Sequence, residues 1–432
     1  MALAKLACDM LPERREALAK LLSGDLEFHS ASSGYASHSL HAFAAKFPPQ
    51  IPRAFVEALT VPGEVVLDPM MGSGTAVLEA GLLGRQAVGV DIDPLAIKIG
   101  TVKTTPIDEE SASCAAAAVV GRSEANLAEV GSLEAERRSR FDAATCKFQD
   151  YWFLPSTQHE LMALLLSIEG VESDDLRELF ELVFSSIIVT KSGGVSRARD
   201  LAHSRPHRVL DKTPRNAVEQ FRVRVAKAIS TLATLGLKAG SVRIYQADAR
   251  ALPLADCSVD LVITSPPYAN AIDYVRAHKF SLVWMGVRVD ELTRLRASYL
   301  GSENCSAVPA GALPSSVREV VEKVSERDPR KGKILMKYLL EMAMVLREIQ
   351  RVLRRERCAG VVVGPSTMRG IMVPTHRLLA EIAAELGLHV VGVAARKLDR
   401  DRRMMPFRRD QLSMNGIEQR MHEEFVIGLM KG

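Results

Sequence analysis

The segment that most constrains this chain is a hydrophobic run that stops at two prolines, from Val259 to Tyr268. Its first part, Val-Asp-Leu-Val-Ile-Thr, is typical of a buried β-strand. The strand must end near Ser265, because proline cannot continue the hydrogen-bond ladder of a sheet. Ser265 and Tyr268 are therefore predicted to lie at the C-terminal end of a strand, where open α/β sheets bind their ligands.

A glycine turn follows another predicted strand upstream, in the sequence Glu64-Val-Val-Leu-Asp-Pro-Met-Met-Gly-Ser-Gly-Thr75. Gly72 and Gly74 let the backbone approach a ligand without a clash from a Cβ atom. The helix predicted from Thr75 offers free N–H groups to a carboxylate. The turn is not a P-loop, since no Gly-Lys-Ser/Thr follows, and it lacks the third glycine of the dinucleotide fingerprint.

Two further predicted strands lead to carboxylates. The strand from Gln86 ends at Asp91, about 20 residues after the glycine turn, which is the spacing at which a carboxylate reaches a ribose diol in Rossmann-like sheets. Asp93 is interpreted as the N-cap of the next helix. The strand from Val242 leads to Asp248, for which a turn cap is the alternative to a ligand contact.

Three segments resemble motifs of the site-specific DNA amino-methyltransferases, which methylate the exocyclic amine of cytosine (N4) or adenine (N6). Ser265-Pro-Pro-Tyr268 resembles motif IV. Asp68-Pro-Met-Met-Gly-Ser-Gly-Thr75 resembles motif I, with Met70 where an aromatic residue is usual. His38 to Arg53, which includes Ala45-Lys-Phe-Pro-Pro-Gln-Ile-Pro52, resembles motif X. The resemblance covers residues 38–100 and 241–430. It is weaker over the insertion at residues 105–240.

The resemblance implies a fold, a cofactor and partners. The fold is a Rossmann-like, class I α/β fold with a seven-stranded, mostly parallel sheet and a helical insertion. The cofactor is S-adenosylmethionine (AdoMet), with no metal. The partner is duplex DNA, methylated in a specific sequence as in restriction-modification systems. A companion restriction endonuclease would then be a further partner.

The resemblance also implies two sets of site residues. The catalytic set is Ser265, Pro266, Pro267 and Tyr268. The AdoMet contacts include Asp91 at the ribose and Asp248 at the adenine amino group; the full set is Lys46, Phe47, Asp68, Pro69, Met70, Gly72, Gly74, Thr75, Asp91 and Asp248.

The chemistry of an aryl amine explains why these residue types suit the catalytic set. Its lone pair is delocalised into the ring, so the amine is a poor nucleophile until acceptors pull it toward tetrahedral geometry. The Ser265 hydroxyl and the Pro266 carbonyl are such acceptors, and the Tyr268 ring offers a face worth about 1–3 kcal/mol in base stacking. His278 is considered as a general base, but with no paired acid visible we expect the proton to leave to water.

Ser265 at the first position of motif IV favours cytosine N4 as the target, because adenine enzymes more commonly have Asp or Asn there. Three alternatives stay open at this point. They are an adenine-N6 DNA methyltransferase, an RNA base methyltransferase, and a DNA-binding protein without catalytic activity.

Two basic segments are predicted to contact nucleic acid. Residues 191–215 hold seven Lys or Arg against two Asp, on a chain whose formal net charge is only +4. Residues 396–409 interleave six Arg and one Lys with Met and Phe. Concentrated basic segments are typical of polyanion binders, although a solvated loop is the alternative for the first. The predicted contacts are Arg197, Arg199, Arg205, Arg208, Arg402 and Arg403.

Composition limits the remaining possibilities. The 432 residues, 47% of them hydrophobic, can bury a large core. No apolar run reaches the roughly 18 residues of a bilayer span, so no membrane partner is expected. The six cysteines form no C-x-x-C pair, which argues against zinc and favours a reducing cytoplasm. Met1 to Leu22 predicts an ordinary amphipathic helix.

The order of the motifs predicts three regions. Residues 1–104 hold the N-terminal helix, motif X and the first half of the methyltransferase domain. Residues 105–240 form a mainly helical insertion with a role in DNA recognition. Residues 241–432 complete the domain and contain a polar, irregular insertion at 287–332.

Overall fold

The computed structural model describes residues 2–29, 31–44, 46–190, 194–199, 206–269, 274–302, 312–398 and 422–432, with the backbone alone at 2–12, 274 and 277. Its core is one sheet, whose strands from edge to edge are Leu388–Lys397 (β10), Glu423–Lys431 (β11), Leu353–Val363 (β7), Val259–Thr264 (β6), Val65–Asp68 (β1), Gln86–Asp91 (β2) and Val242–Gln246 (β5). β11 is antiparallel to both neighbours, and the other neighbours pair in parallel. The predicted seven-stranded, mostly parallel sheet is confirmed.

Two short hairpins lie outside this sheet. Ala198–Arg199 (β3) pairs with His207–Arg208 (β4), and Ser366–Met368 (β8) pairs with Ile371–Val373 (β9). The β3–β4 ribbon belongs to the first basic segment.

The helices fall into three groups along the chain. Before and within the first half of the sheet lie Ala2–Ser23 (α1), Gln50–Leu59 (α2), Thr75–Leu82 (α3) and Pro94–Lys103 (α4). Between β2 and β5 lie Glu109–Asn126 (α5), Val130–Arg140 (α6), Ala143–Trp152 (α7), Pro155–Glu169 (α8), Asp174–Ile188 (α9) and Ala217–Ala233 (α10). After β6 lie Tyr274–Leu282 (α11), Val289–Ser298 (α12), Ser315–Arg327 (α13), Pro329–Val352 (α14) and Thr375–Glu385 (α15).

Helices cover both faces of the sheet, which explains why β6 is apolar along most of its length. All six of its residues are buried. Leu261 and Ile263 pack into a core shared with α1 and α2, whereas Val262 packs into a core shared with α14 and α15. Successive side chains of a strand point to opposite faces, so a strand covered on both sides needs apolar residues at nearly every position.

The helices between β2 and β5 build a third core of their own. The rings of Phe180 in α9 and Phe221 in α10 lie 6.1 Å apart in it. The same core includes Leu95 of α4 and Phe280 of α11, so the helical layer is packed against elements that lead from the sheet. The predicted domain boundaries at residues 104 and 240 stay a prediction.

One helix is shorter than its sequence suggests. The sequence predicts one long helix from Lys333 to Arg357, with basic residues at its end as the helix dipole favours, but α14 stops at Val352 and the residues after it begin β7. Two of these arginines form ion pairs with Asp260, a buried carboxylate of β6. Arg354 Nη1 lies 2.5 Å from its Oδ2, and Arg357 Nη2 lies 3.0 Å from its Oδ1. The expectation that helix-dipole stabilisation places these arginines is wrong.

The polar segment 287–332 is more regular than expected. It holds α12 and α13 and the start of α14 in its described part. Val317, Val321 and Val324 of α13 are buried at helical spacing against the core that contains α14. The helix has four valines, Val317, Val320, Val321 and Val324, and their i, i+3, i+4, i+7 spacing is that of one apolar helix face. The sequence therefore carried a helical signal that the expectation of an irregular segment overlooked.

Candidate active site

An open pocket lies where β1, β2, β5 and β6 end. Parallel strands bring the residues that follow them to one edge of the sheet, so motifs far apart in sequence meet there. Most of the predicted AdoMet contacts line it, together with part of motif IV. These lining residues are Lys46, Phe47, Pro69, Met70, Gly72, Thr75, Asp91, Asp248, Ser265 and Pro267.

The glycine turn is shaped by positive φ angles and close packing. Gly72 has φ 49° and Gly74, the N-cap of α3, has φ 71°. A Cβ at Gly72 would lie 3.0 Å from the ring of Phe43, which itself lines the pocket. Lys103 is buried behind the turn and donates from Nζ to the Ser73 carbonyl at 2.6 Å. Burial lowers the pKa of Lys103 well below its usual range.

Asp91 holds the turn and faces the pocket at the same time. Its Oδ2 accepts from the Gly72 N–H at 2.8 Å, and its Oδ1 accepts from the Asp93 N–H at 2.9 Å. Burial and the nearby Asp93 raise its pKa to about 6. The predicted ribose ligand is therefore also a structural residue of the glycine turn.

Asp68 lies behind the pocket and does not line it. It is 1% exposed, and its Oδ1 accepts from the Thr264 hydroxyl at 2.7 Å and from the Met70 N–H at 3.2 Å. Its Oδ2 has no hydrogen-bond partner within the described part of the chain. Burial raises its pKa to about 7. Asp68 thus joins β1 to the residue that precedes Ser265.

Asp248 is bound by an arginine that sequence reasoning did not single out. The Arg250 side chain donates from Nε to Oδ1 at 2.9 Å and from Nη2 to Oδ2 at 2.6 Å. Burial opposes ionisation of Asp248, but these hydrogen bonds outweigh it and hold its pKa below the usual range. The Arg250 N–H also donates to Oδ1 at 2.9 Å, so Asp248 caps a turn as well as lining the pocket.

Motif IV is only partly exposed to the pocket. Ser265 and Pro267 line it, whereas Pro266 is buried. Tyr268 does not line it, and its hydroxyl donates to Oε1 of Glu424 at 2.8 Å. Glu424 in turn forms an ion pair with Arg396 at 2.5 Å. Glu424 gave no sequence signal, because only the pairing of β11 with β7 brings it to this edge.

An Asp–His pair lies beside the pocket. Nδ1 of His278 in α11 is 2.6 Å from Oδ2 of Asp93, and both side chains are buried. Oδ1 of Asp93 accepts from the N–H groups of Leu95 and Ala96, which confirms it as the N-cap of α4. The expectation that His278 has no paired acid is wrong, but His278 is 2% exposed and does not line the pocket.

Motif X is fixed to the helix after the glycine turn by one buried carboxylate. Glu79 of α3 is fully buried and accepts from Tyr35 and His38 at 2.7 Å each and from Arg53 at 3.3 Å. Burial lowers the pKa of His38 to about 4, so its ring is neutral at pH 7. Lys46, which lines the pocket, donates to the His38 carbonyl at 2.7 Å.

The predicted nucleic-acid residues are only partly within the described ranges. Arg205, Arg402 and Arg403 lie outside them. Arg199 is exposed on the β3–β4 ribbon, Arg197 precedes it, and Arg208 stacks over the ring of Tyr151 at 4.3 Å. The structure therefore brings three of the six to one ribbon.

The sheet order, the glycine turn and the carboxylates at the strand ends define a Rossmann-like, class I methyltransferase fold. No helix among the residues described is long and apolar enough to cross a membrane. Residues 25–101 match the DNA methylase family model for N6 and N4 methyltransferases.

Relatives match much more of the chain. The Type II methyltransferase M.MvaI of Kocuria varians is 24% identical over 407 residues, 87% of this chain and 87% of the relative. The Type II methyltransferase M.AvaI of Nostoc sp. is 23% identical over 366 residues, 76% and 73% of the two chains. The structure of geranyl diphosphate C-methyltransferase from Streptomyces coelicolor matches 97% of this chain and 98% of its own at 7% identity, with a TM-score of 0.33.

This chain is thus similar to DNA methylases over residues 25–101 and to Type II methyltransferases over most of its length. The pocket suits AdoMet, the cofactor that the motifs predict, in its chemistry, since a glycine turn, a helix N-terminus and two carboxylates line it beside apolar Phe47 and Met70.

Proposed function

We propose that this chain methylates the exocyclic N4 of cytosine in a specific sequence of duplex DNA, as part of a restriction-modification system. The observation that carries the proposal is that Ser265 and Pro267 of motif IV line the same pocket as Asp91 and Asp248. A methyl group bound in that pocket and an amine held by motif IV would meet there. The names of the Type II relatives support the biological setting.

Different residues of the pocket would contact different parts of AdoMet. Asp91 would hold the ribose hydroxyls, and Asp248 would accept from the adenine amino group, for which its lowered pKa keeps it ionised. Lys46 and Phe47, with the N–H groups at the start of α3, would hold the methionine end. AdoMet supplies an electrophilic methyl group on a sulfonium sulfur when it is bound.

The substrate side positions a poor nucleophile. The target base leaves the duplex stack at a cost of about a few kcal/mol. The Ser265 hydroxyl and the Pro266 carbonyl accept from its amine, and the Tyr268 ring stacks against it. The amine nitrogen would form a bond to the methyl carbon as the bond from that carbon to the sulfonium sulfur breaks. S-adenosylhomocysteine would leave, and the methylated amine would give up one proton to water. Orientation of the two reactants provides most of the acceleration.

The choice of cytosine depends on Ser265. Arg197, Arg199 and Arg208 of the ribbon, with Arg205, Arg402 and Arg403 outside the described residues, are proposed to hold the DNA. A phosphate contact adds affinity that falls with salt concentration, so these residues should give binding a strong salt dependence.

Methyl transfer to unmethylated bacterial genomic DNA tests the proposal directly. The protein is incubated with labelled AdoMet, and the DNA is digested to nucleosides for mass spectrometry. N4-methylcytosine is the expected product. N6-methyladenine would keep the site and overturn the choice of base. Label in structured RNA and none in DNA would overturn the DNA assignment.

A further inference from the structure

A line of alternating charges connects the pocket to the interior of the protein. Arg250 lines the pocket and binds both oxygens of Asp248 through Nε and Nη2. Its third nitrogen, Nη1, donates to Oε1 of Glu341 at 2.8 Å. Glu341 belongs to α14, is 1% exposed and does not line the pocket. Arg250 therefore bridges one acid at the pocket and one acid behind it.

Glu341 also fixes a second stretch of the pocket. Residues 298–300, at the end of α12 and just after it, line the pocket. The Ser298 carbonyl accepts from Nη2 of Arg250 at 3.0 Å. The N–H of Gly301 donates to Oε2 of Glu341 at 3.0 Å. The two oxygens of one buried carboxylate thus hold an arginine and a backbone segment of the same pocket.

Burial makes this arrangement rigid. Glu341 needs a cation, because a buried carboxylate without one is strongly destabilised. Lys337, one turn earlier in α14, lies 3.6 Å from Oε1 and is farther from it than Arg250. A guanidinium is planar, and its donors point in fixed directions. Holding Nη1 of Arg250 at Glu341 therefore sets the direction from which Nε and Nη2 meet Asp248.

The arginine leaves Asp248 little capacity for further hydrogen bonds. Oδ1 accepts from the backbone N–H and from Nε of Arg250, at 2.9 Å each. Oδ2 accepts from Nη2 at 2.6 Å and from Nε at 3.0 Å. A carboxylate has about four acceptor sites, so most of them are occupied. With 36% of the side chain exposed, what remains suits one donor of a ligand.

We propose that Glu341 is a positioning residue for the cofactor. Through Arg250 it directs the Asp248 carboxylate at the amino group of the adenine. Through Gly301 it holds the pocket wall at residues 298–300. A fixed carboxylate that lacks its donor is left unpaired, so the pocket selects a purine that carries the amino group over one that does not. The inference rests on the proposed function, from which it takes the contact of Asp248 with adenine.

Two ligands test the selectivity without DNA. S-adenosylhomocysteine (AdoHcy) is compared with its deamino analogue, in which hydrogen replaces the exocyclic amino group, by calorimetry on the full chain. Glu341→Gln keeps the size of the side chain but has one acceptor oxygen, so it cannot hold both Arg250 and Gly301. Asp260→Asn is the matched control. Asp260 is equally buried, accepts from a backbone N–H and pairs with arginines, but it lies at the start of β6, away from the pocket.

Wild-type protein should bind AdoHcy about tenfold more tightly than the analogue, as expected for one hydrogen bond to a charged group. Glu341→Gln should weaken AdoHcy about tenfold and the analogue about threefold, so the preference falls to about threefold. At saturating AdoMet its kcat on genomic DNA should stay within about threefold of wild type, while its KM for AdoMet rises. Asp260→Asn should leave both Kd values within about twofold, because its site is distant.

A second variant approaches the same link from its more exposed end. The Arg250 side chain is 19% exposed, so Arg250→Lys disturbs the interior less than Glu341→Gln. Lysine keeps the charge but cannot bind Asp248 with two donors and Glu341 with a third. Arg250→Lys should lower the preference for AdoHcy as Glu341→Gln does. The double variant should lower it no further, because the two residues act as a unit.

A wild-type preference in Arg250→Lys and in folded Glu341→Gln would overturn the inference. An equal loss of affinity for both ligands would also overturn it, because the pocket would then be loosened in general. If wild-type protein showed no preference, the contact of Asp248 with adenine would fail and this inference with it. If it preferred AdoHcy but methylated no DNA, only the DNA assignment would fail, and the loss of preference in the variants would still support the role of Glu341.

Discussion

His278 Nδ1 lies 2.6 Å from Asp93 Oδ2, so the helix that follows motif IV is bonded to the cap of the helix that follows β2. The two residues are 185 positions apart in sequence. Burial opposes ionisation of Asp93, but His278 outweighs it and holds its pKa below the usual range. The bond therefore joins the cofactor side of the pocket to the substrate side.

Asp93→Asn and His278→Asn should both slow methyl transfer by about tenfold, because a hydrogen bond to a charged group contributes about 1.5–3 kcal/mol. Asparagine keeps the N-cap of α4 at position 93, so the helix itself should stay intact. The measurement is kcat for the two single variants and the double variant. A double variant no slower than either single one is expected; fully additive losses would show that the pair does not act as a unit.

Ser265→Ala combined with Tyr268→Ala should abolish methyl transfer, with a loss of about 100-fold or more in kcat/KM, and leave the Kd for AdoMet unchanged. Tyr268→Phe is the informative control, because it keeps the stacking face and loses the hydrogen bond to Glu424. It should retain activity within a few-fold. Strong loss in Tyr268→Phe would mean that the bond to Glu424, and not the ring face, is what transfer requires.

Gly72→Ala should weaken AdoMet binding about tenfold or more and lower the free energy of unfolding by about 1–2 kcal/mol, the cost of a left-handed conformation with a Cβ. The added methyl group would also press on Phe43. Gly63→Ala is the matched control, since Gly63 has φ 88° but nothing within 4 Å of its Cβ position. Urea unfolding should show a stability loss for both variants, larger for Gly72→Ala, and calorimetry should show an affinity loss for Gly72→Ala alone.

Binding of AdoMet should release protons near pH 6.5. Burial raises the pKa of Asp68 to about 7 and that of Asp91 to about 6, against about 3.9 for a free Asp. The folded protein therefore keeps protons that the unfolded chain has lost, and stability falls as pH rises from about 4 to about 7. A cationic ligand favours both ionised carboxylates, so it displaces those protons.

Calorimetry in two buffers with different ionisation enthalpies measures the release. The observed binding enthalpies should differ at pH 6.5 and agree at pH 8.5, where both carboxylates are already ionised. Asp68→Asn should reduce the difference at pH 6.5, because one titrating group is gone. Equal enthalpies in both buffers at pH 6.5 would contradict the raised pKa values.

Local chemistry explains which parts of this fold and site could be predicted. Strand β6 could be predicted because an apolar run ends at prolines. Asp93 could be predicted as an N-cap because it lies directly before the first residue of α4. The glycine turn requires positive φ, which its own residues supply. Each of these features depends on a few neighbouring residues, so a short stretch of sequence is enough to predict it.

Long-range pairing decided the rest. Glu424 contacts Tyr268, 156 positions away in sequence, only because β11 pairs with β7. Arg354 and Arg357 lie in β7, where they form ion pairs with Asp260 of the neighbouring strand β6. The sequence by itself determined the sheet, the turn and the acids at strand ends, since local patterns encode them. Only the tertiary structure determined the partners of the buried charges. A buried charge needs an opposite charge nearby, and the order of the strands decides which one lies within contact distance.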